Sequence, residues 1–394
     1  MTLDARVAHG VRKPPAGMFN TGGGRMDRQV DRARLVSLDT VRGFAIVAMI
    51  IAHAIPFTHA VTPGIVLASE AILNDVASPL FALVIGATVA INTAGEMARP
   101  DRRRFRVQTA IKAVALIVLG LLLDLLEAHV AIVLAYLGAT LLVALPLLFL
   151  SSRVLLVVTA VLCLVAPPLT ELARGAGESA PQLVYPVTPI TIALDWIALG
   201  SSYRVLGLLP LLVLGILLGR WATGRTGRLG IVLAAGALLF ALSVPWREAA
   251  VAADAFTSGS YPDLLRDLGL SLIAYSSIAL LVDGTRGWFQ RATRLVLRPL
   301  SAQGEMALSV YTLQVLVLAA VWASPLGATD GGWVGTSRGW LITGGVLVIC
   351  AVFAIVWSRV FGTGPLERVI GALTGRHPFT QPRAAGEPTG VGRA

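Results

Sequence analysis

The stretch LDTVRGFAIVAMIIAHAIPF, residues 38–57, places a histidine inside an otherwise apolar segment of membrane-spanning length. A bilayer core needs roughly 20 mostly apolar residues in a helix, and an ionisable side chain at that depth costs free energy and usually serves a function. His53 is therefore the first residue to explain. Arg42, near the start of the same segment, is the second.

The composition around this stretch predicts a polytopic membrane protein. Of the 394 residues, 56% are hydrophobic and only 14% are charged, and the mean hydropathy is +0.77. Soluble globular proteins carry about 25% charged residues. Ten apolar runs have roughly the length of a span: 42–58, 76–95, 107–124, 130–150, 153–173, 204–220, 228–245, 266–283, 303–323 and 338–358. The segment PVTPITIALDWIAL, residues 186–199, is shorter and interrupted by proline, so we expect it to be re-entrant or interfacial.

The basic residues predict how these helices are oriented. With ten spans and the N-terminus inside, 27 of the 32 Lys and Arg residues fall in cytoplasmic segments and five fall outside. Such a bias is the positive-inside rule. We therefore predict an all-α, multi-pass protein of the plasma (inner) membrane, with about ten transmembrane helices and both termini in the cytoplasm. Because the basic residues cluster between apolar runs, the net charge of +10 reflects topology, and we expect no nucleic-acid partner.

The ends of the chain differ from its middle. Residues 1–35 and 376–394 are rich in Gly, Pro and Arg and lack a hydrophobic period, which predicts a disordered basic cytoplasmic arm and a disordered cytoplasmic tail. Residues 36–375 then form one transmembrane domain whose partner is the lipid bilayer.

Helix geometry places Asp39, Arg42 and His53 on one face of the first span. At 1.5 Å and 100° per residue, the eleven steps from Arg42 to His53 rise roughly 16 Å and turn about 20° beyond whole circles. Asp39 precedes Arg42 by three residues, a spacing that allows an ion pair. A histidine that only packs against a neighbouring helix is the alternative, but its alignment with an arginine favours a functional pair.

Four stretches resemble known families. RLVSLDTVRGFAIVAMIIAH at 34–53 resembles the first helix of the membrane-bound acyltransferase superfamily, in which an Arg followed eleven positions later by His marks the acyltransferase-3 proteins. Its SLDT-RG pattern, NDVASPLFALVIGATVAI at 74–91 and VLAYLGATLLVAL at 133–145 resemble the heparan-alpha-glucosaminide N-acetyltransferase group. GEMALSVYTLQ at 304–314 is similar to a signature of the bacterial YeiB-like family.

The resemblance implies an integral-membrane acyltransferase. It would move an acetyl or other small acyl group from cytoplasmic acyl-CoA, with acetyl-CoA as the expected donor, to an extracytoplasmic glycan, glycolipid or related envelope molecule, without a bound cofactor. His53 would act as general base or acyl carrier, Arg42 would anchor a phosphate or stabilise developing charge, and Asp39 would orient Arg42. YeiB-like members often have Asn where this chain has His53, and the acetyltransferase group places its proposed catalytic His in the first external loop. His59 is therefore the alternative base.

A second set of polar residues is expected to contact the substrate. These residues lie at the outer helix ends or on the ninth span, and they are Asp75, Asp124, His129, Tyr311 and Gln314. Asp124, Glu127 and His129 lack a standard metal-ligand spacing, so no metal site is predicted.

A transporter or flippase for an envelope precursor is the alternative function, with His53 and Arg42 in a midplane pathway. Transporters often carry two matching halves with broken helices. We find no convincing repeat in the sequence, which favours the enzyme.

The charge distribution makes the orientation testable by cysteine labelling from the outside, in a background without the two native cysteines. Cysteines at Asp101, Gly224 and Trp288 should be protected, because each follows an even number of spans counted from a cytoplasmic N-terminus. Cysteines at Ala176, Phe256 and Asp330 should react. External labelling at position 288 would show that 186–199 crosses the membrane and would invert the C-terminal half.

Overall fold

The computed structural model describes residues 23–58, 64–97, 101–126, 128–180, 188–200, 202–253, 257–285, 287–324 and 339–375. Every regular element in these residues is helical. In chain order the α-helices are α1 Gly23–Thr58, α2 Gly64–Met97, α3 Arg102–Asp124, α4 Leu134–Ala144, α5 Ser152–Ser179, α6 Pro189–Leu194, α7 Val205–Trp221, α8 Thr226–Ala252, α9 Tyr261–Asp283, α10 Gly287–Val296, α11 Arg298–Glu305, α12 Ala307–Trp322, α13 Gly339–Val360 and α14 Pro365–Leu373.

The predicted all-α, polytopic class is confirmed. Each of the ten apolar runs coincides with a helix of the described residues. In the described residues, seven helices are long and apolar enough to cross a membrane. The pair α11 and α12, bent by 93° at their junction, is either an eighth, broken span or a re-entrant loop. Two further helices are apolar but shorter than a span: α4 with its 3-10 extension, Leu145–Phe149, and α7. The count of ten and the orientation stay predictions.

The two predicted end segments, 1–35 and 376–394, lie wholly or partly outside the described residues. The tail 376–394 lies outside them, as do all side chains of the arm 1–35 and the backbone before Gly23. The described part of the segment 186–199 contains α6 and a π-helical turn, Asp195–Leu199, which together are shorter than a span.

Buried helices occupy the centre of the domain and apolar, exposed helices surround it. α1, α2 and α9 are largely buried, whereas α3, α5, α8 and α13 bury only a minor share of their apolar spans. The outer helices expose Leu and Val side chains along their length. Such surfaces suit a lipid environment, because lipid tails are as apolar as these side chains.

Glycines set the closest helix crossings. A β-carbon at Gly86 would overlap the carbonyl oxygen of Leu212, and one at Gly215 would overlap that of Leu83. α2 and α7 therefore touch backbone to backbone, the contact that small residues allow between membrane helices. α1 and α11 cross in the same way at Gly43 and Gly304.

The junction of α11 and α12 is held from the C-terminal side of the domain. Glu367 of α14 accepts hydrogen bonds from the backbone N–H groups of Leu308 (2.8 Å) and Ser309 (3.2 Å), and from the Ser309 hydroxyl. A carboxylate there satisfies donors that the first turn of a helix leaves open. α14 thereby fixes the start of α12, the helix that carries Tyr311 and Gln314.

Gly215→Ala should lower the melting temperature of the purified protein, because its methyl group would overlap the Leu83 carbonyl. Gly344→Ala in α13 is the matched control, since nothing lies within 4 Å of the added carbon. Alanine otherwise favours a helix over glycine by about 0.5–1 kcal/mol, so the control should be unchanged or slightly more stable. A wild-type melting temperature for Gly215→Ala would contradict the close crossing of α2 and α7.

Candidate active site

A polar cavity of about 420 Å³ lies among the ends of several helices. We call it the polar cavity and define it by the lining side chains of His53, Asp75, His129, Tyr203, Asp263 and Asp267. The predicted orientation places these helix ends on the outer side of the membrane. The cavity thus combines an imidazole from α1 with carboxylates from α2 and α9.

His53 is buried within the lining of this cavity, with 8% of its surface exposed. Its Nδ1 lies 3.4 Å from Nε2 of Gln314 on α12. Its Nε2 makes no hydrogen bond within the described residues, although the backbone of Ala131 approaches the ring. The predicted histidine therefore has one nitrogen within reach of Gln314 and one that makes no hydrogen bond within the described residues.

Gln314 can set the tautomer of His53. The Oε1 of its buried amide also makes no hydrogen bond among the described residues. A half-turn of the amide exchanges the two ends without moving the chain, so that Oε1 accepts a hydrogen bond from Nδ1–H. The lone pair then resides on Nε2, which is the form a general base needs.

Arg42 lies at the other end of the α1 segment, in a set of hydrogen bonds. It donates to Oδ1 of Asp39 (2.8 Å), to Oγ1 of Thr88 on α2 (2.8 Å) and to the carbonyl oxygen of Gly304 on α11 (3.0 Å). The Asp39–Arg42 pair expected from their spacing is present in the structure. Thr88 and Gly304 were not expected, since they come from other helices.

An apolar crevice runs along the same side of Arg42. Two cavities of about 160 and 190 Å³ share Arg42, Ile85 and Leu116 in their linings, and we call them together the apolar crevice. One part extends to Lys112 in the middle of α3, and the other extends to Tyr311. The crevice thus connects a basic end with the middle of the domain.

Tyr311 and Gln314 lie three residues apart on α12 and face different compartments. The Tyr311 hydroxyl accepts a hydrogen bond from the N–H of Val133 (3.3 Å) and its ring lines the crevice, whereas Gln314 contacts His53. Three residues correspond to a rise of about 4.5 Å. The end of the crevice and the histidine are therefore separated by about one turn of α12.

Asp75, expected to bind substrate, forms an ion pair with a buried arginine. Its Oδ2 accepts a 2.6 Å hydrogen bond from Nε of Arg266 on α9 and lies 3.8 Å from Arg247. The charge count placed Arg266, the first residue of the run 266–283, among the five outer basic residues. Because α9 begins at Tyr261, Arg266 lies inside the helix and against α2. Asp75 lines the polar cavity with its charge already paired.

The remaining predicted residues are spread around the site. His129 lines the polar cavity with a left-handed backbone (φ 55°), and its ring lies 4.9 Å from that of Trp322. Asp124 lines a smaller neighbouring cavity. His59, the alternative base, lies outside the described residues.

Asp263 and Asp267 were missed by the sequence reasoning, which placed the start of the helix at 266. Both line the polar cavity, and Asp267 lies within electrostatic range of Asp75 and Arg266. Their spacing of four residues, one helical turn, was the available signal.

Two family models match the chain, each over a different range of the sequence. The model described as heparan-alpha-glucosaminide N-acetyltransferase, catalytic, matches residues 34–190, and the model described as protein of unknown function (DUF418) matches residues 214–377. The chain resembles the membrane-bound acyltransferase superfamily. No curated protein shows a significant match to the sequence. The expected resemblance is confirmed, and it indicates a multi-pass membrane protein with transferase activity.

The two matched segments meet at the polar cavity. His53, Asp75 and His129 come from the segment similar to the acetyltransferase model, and Asp263 and Asp267 come from the other. The cavity is therefore built by both halves.

Asp75→Ala should destabilise the protein by about 2 kcal/mol, because it leaves Arg266 buried without its carboxylate. This is less than for a fully enclosed pair, since Asp75 borders the cavity. Adding Arg266→Met should recover most of the loss. The measurement is a double-mutant cycle of unfolding in detergent, and additive effects would show that the pair contributes nothing to stability.

Proposed function

We propose that this protein is an integral-membrane acyltransferase. It moves an acetyl or other small acyl group from cytoplasmic acyl-CoA to an extracytoplasmic glycan, glycolipid or related envelope molecule. The observation that carries the proposal is the position of His53. It lines the polar cavity with an Nε2 that makes no hydrogen bond within the described residues, about one turn of α12 from the end of the apolar crevice.

The crevice suits the acyl end of the donor. Its two parts, at about 160 and 190 Å³, are small compared with pockets for whole cofactors. The acyl group and the chain next to it enter, while the phosphate-bearing nucleotide stays at the cytoplasmic mouth. Lys112 lines that end, and Arg102 and Arg106 lie one to three turns earlier on α3. These cations attract phosphate.

The polar cavity suits an acceptor that carries hydroxyl or amino groups. Its carboxylates accept hydrogen bonds from such groups, and the ion-paired carboxylate of Asp75 is part of this polar lining. Donor and acceptor therefore approach His53 from opposite ends of the domain.

The acyl transfer needs one general base, and His53 supplies it. His53 Nε2 takes the proton from the acceptor O–H or N–H as that atom attacks the thioester carbonyl. The C–S bond breaks, the new ester or amide forms, and the thiolate of CoA receives the proton from the imidazolium. Gln314, by accepting from Nδ1–H, holds the ring in the required tautomer. Arg42 fixes α1 and lines the donor path, and Asp39 orients Arg42.

His53→Ala should lose acyl transfer by at least about 10²-fold, the usual scale for a general base, with acyl-CoA affinity retained. The assay uses labelled acetyl-CoA, the protein in proteoliposomes and envelope extracts as acceptor. Gln314→Leu should lower kcat with little change in KM, and Gln314→Glu, which keeps an acceptor for Nδ1–H, should restore part of the rate. His59→Ala should keep most activity.

A fully active His53→Ala protein, made at normal levels, would contradict this assignment and point to His59. Flux of an envelope precursor with no acyl-CoA consumption would instead support the transporter.

A further inference from the structure

A smaller cavity with aromatic walls adjoins the polar cavity. It measures about 160 Å³, and we call it the aromatic pocket, defined by Tyr136, Trp196, Tyr203 and Asp124 in its lining. Ala131, Ser202 and Tyr203 line both cavities. A molecule in the polar cavity can therefore continue into the aromatic pocket.

The three rings surround this pocket, and Tyr136 and Tyr203 also pack against the edge of the hydrophobic core. The ring centroid of Tyr136 lies 5.8 Å from that of Trp196 and 5.8 Å from that of Tyr203, at interplanar angles of 45° and 61°. All three side chains are half-buried. Rings arranged at such angles present their faces and edges to the space between them.

Aromatic residues at a membrane interface often serve only as anchors. Trp246 and Tyr261 fit that description, because they stack on each other (6.1 Å, 14°) and line neither the polar cavity nor the aromatic pocket. Tyr136, Trp196 and Tyr203 differ because all three converge on one cavity. That convergence indicates a ligand.

Carboxylates accompany the rings. Asp124 lines the pocket and is exposed, and Asp195 approaches the hydroxyl of Tyr136. Carboxylate oxygens accept hydrogen bonds from hydroxyl groups, and aromatic faces pack against the C–H face of a ring. A pyranose ring offers both a C–H face and a rim of hydroxyls, and its size is comparable with the pocket.

The segment that carries Trp196 and Tyr203 is firmly held. The π-helical turn ends where the N–H of Gly200 donates to the Asp195 carbonyl (2.7 Å). Arg204, which is buried, donates from Nε to the Gly200 carbonyl (2.6 Å) and from a terminal nitrogen to the Ser258 carbonyl (2.9 Å). π-helical turns are rare in proteins, and those that occur are often found at functional sites. Trp196 and Tyr203 lie between the two segments that the family models match.

We propose that the aromatic pocket binds a second sugar ring of the acceptor, next to the ring that reacts in the polar cavity. This rests on the proposed function, since it assumes a glycan or glycolipid acceptor. The acceptor is then at least a disaccharide, or a disaccharide headgroup.

The test compares sugar binding by the full-length protein in nanodiscs, without acyl-CoA. The probes are methyl glycosides of mono- and disaccharides built from glucose, galactose, mannose and glucosamine, titrated by saturation-transfer NMR. At least one disaccharide should bind about tenfold more tightly than its monosaccharide. Trp196→Ala and Tyr136→Ala should remove this gain and leave the monosaccharide affinity unchanged, while Trp196→Tyr should keep part of it.

Trp246→Ala is the control, because it removes an exposed Trp that also stacks on a Tyr but lines neither cavity. The Trp246→Ala variant should keep the full gain in affinity for the disaccharide over the monosaccharide. Equal affinity for mono- and disaccharides throughout the panel, or a gain that survives both alanine variants, would overturn the subsite.

Acyl-transfer kinetics separate this proposal from the proposed function. Unchanged KM for a transferred acceptor in Trp196→Ala and Tyr136→Ala would reject the subsite and leave the acyltransferase standing. A Trp196-dependent gain in disaccharide affinity, in a protein that consumes no acyl-CoA, would support the sugar subsite and reject the acyltransferase.

Discussion

The hydrogen bonds of Arg42 are the constraint on which the site depends. A guanidinium within an apolar domain must have its donors satisfied, because unpaired buried polar groups cost free energy. Here the partners come from α1 itself, from α2 through Thr88 and from α11 through the carbonyl of Gly304. The absence of side chains at Gly43 and Gly304 allows α1 and α11 to approach closely enough for this. The position of α1, and so of His53, follows from that arrangement.

Irregular backbone at the centre of the domain supplies the second constraint. Residues 128–133 are not helical, and Ile132 and Val133 are buried. Such backbone is tolerated at membrane depth where protein covers it or where it lines a cavity. Both conditions hold here, since the N–H of Val133 donates to Tyr311 and Ala131 lines the polar cavity. This segment lies between the crevice and the polar cavity and keeps the two compartments close but distinct.

The charged lining of the polar cavity has a structural and a chemical role. Asp75 and Arg266 join α2 to α9 through one short ion pair, which would be costly to leave half-made. The same pair keeps the cavity polar next to a histidine whose Nε2 makes no hydrogen bond among the described residues. Stability and a polar lining therefore come from the same two residues.

The sequence by itself determined the class of the protein and the local geometry of its first span. Apolar runs of span length require helices in a membrane, and a spacing of three residues brings Asp39 to Arg42 in any helix. The resemblance to acyltransferases also rests on short local motifs, and the family models agree with it. These properties depend on near neighbours in the chain, which is why they can be read from it.

The tertiary structure alone decided which residues meet. His53 and Gln314 are 261 positions apart, and Asp75 and Arg266 are 191 apart, so no periodicity relates them. Asp75, whose expected contact with substrate stays a prediction, is paired with Arg266 on α9. The aromatic pocket joins α4 to the segment before α7, which the sequence showed only as a short apolar stretch. Packing of distant helices, set by glycine contacts and buried charges, determines these partnerships, and a linear pattern carries no record of it.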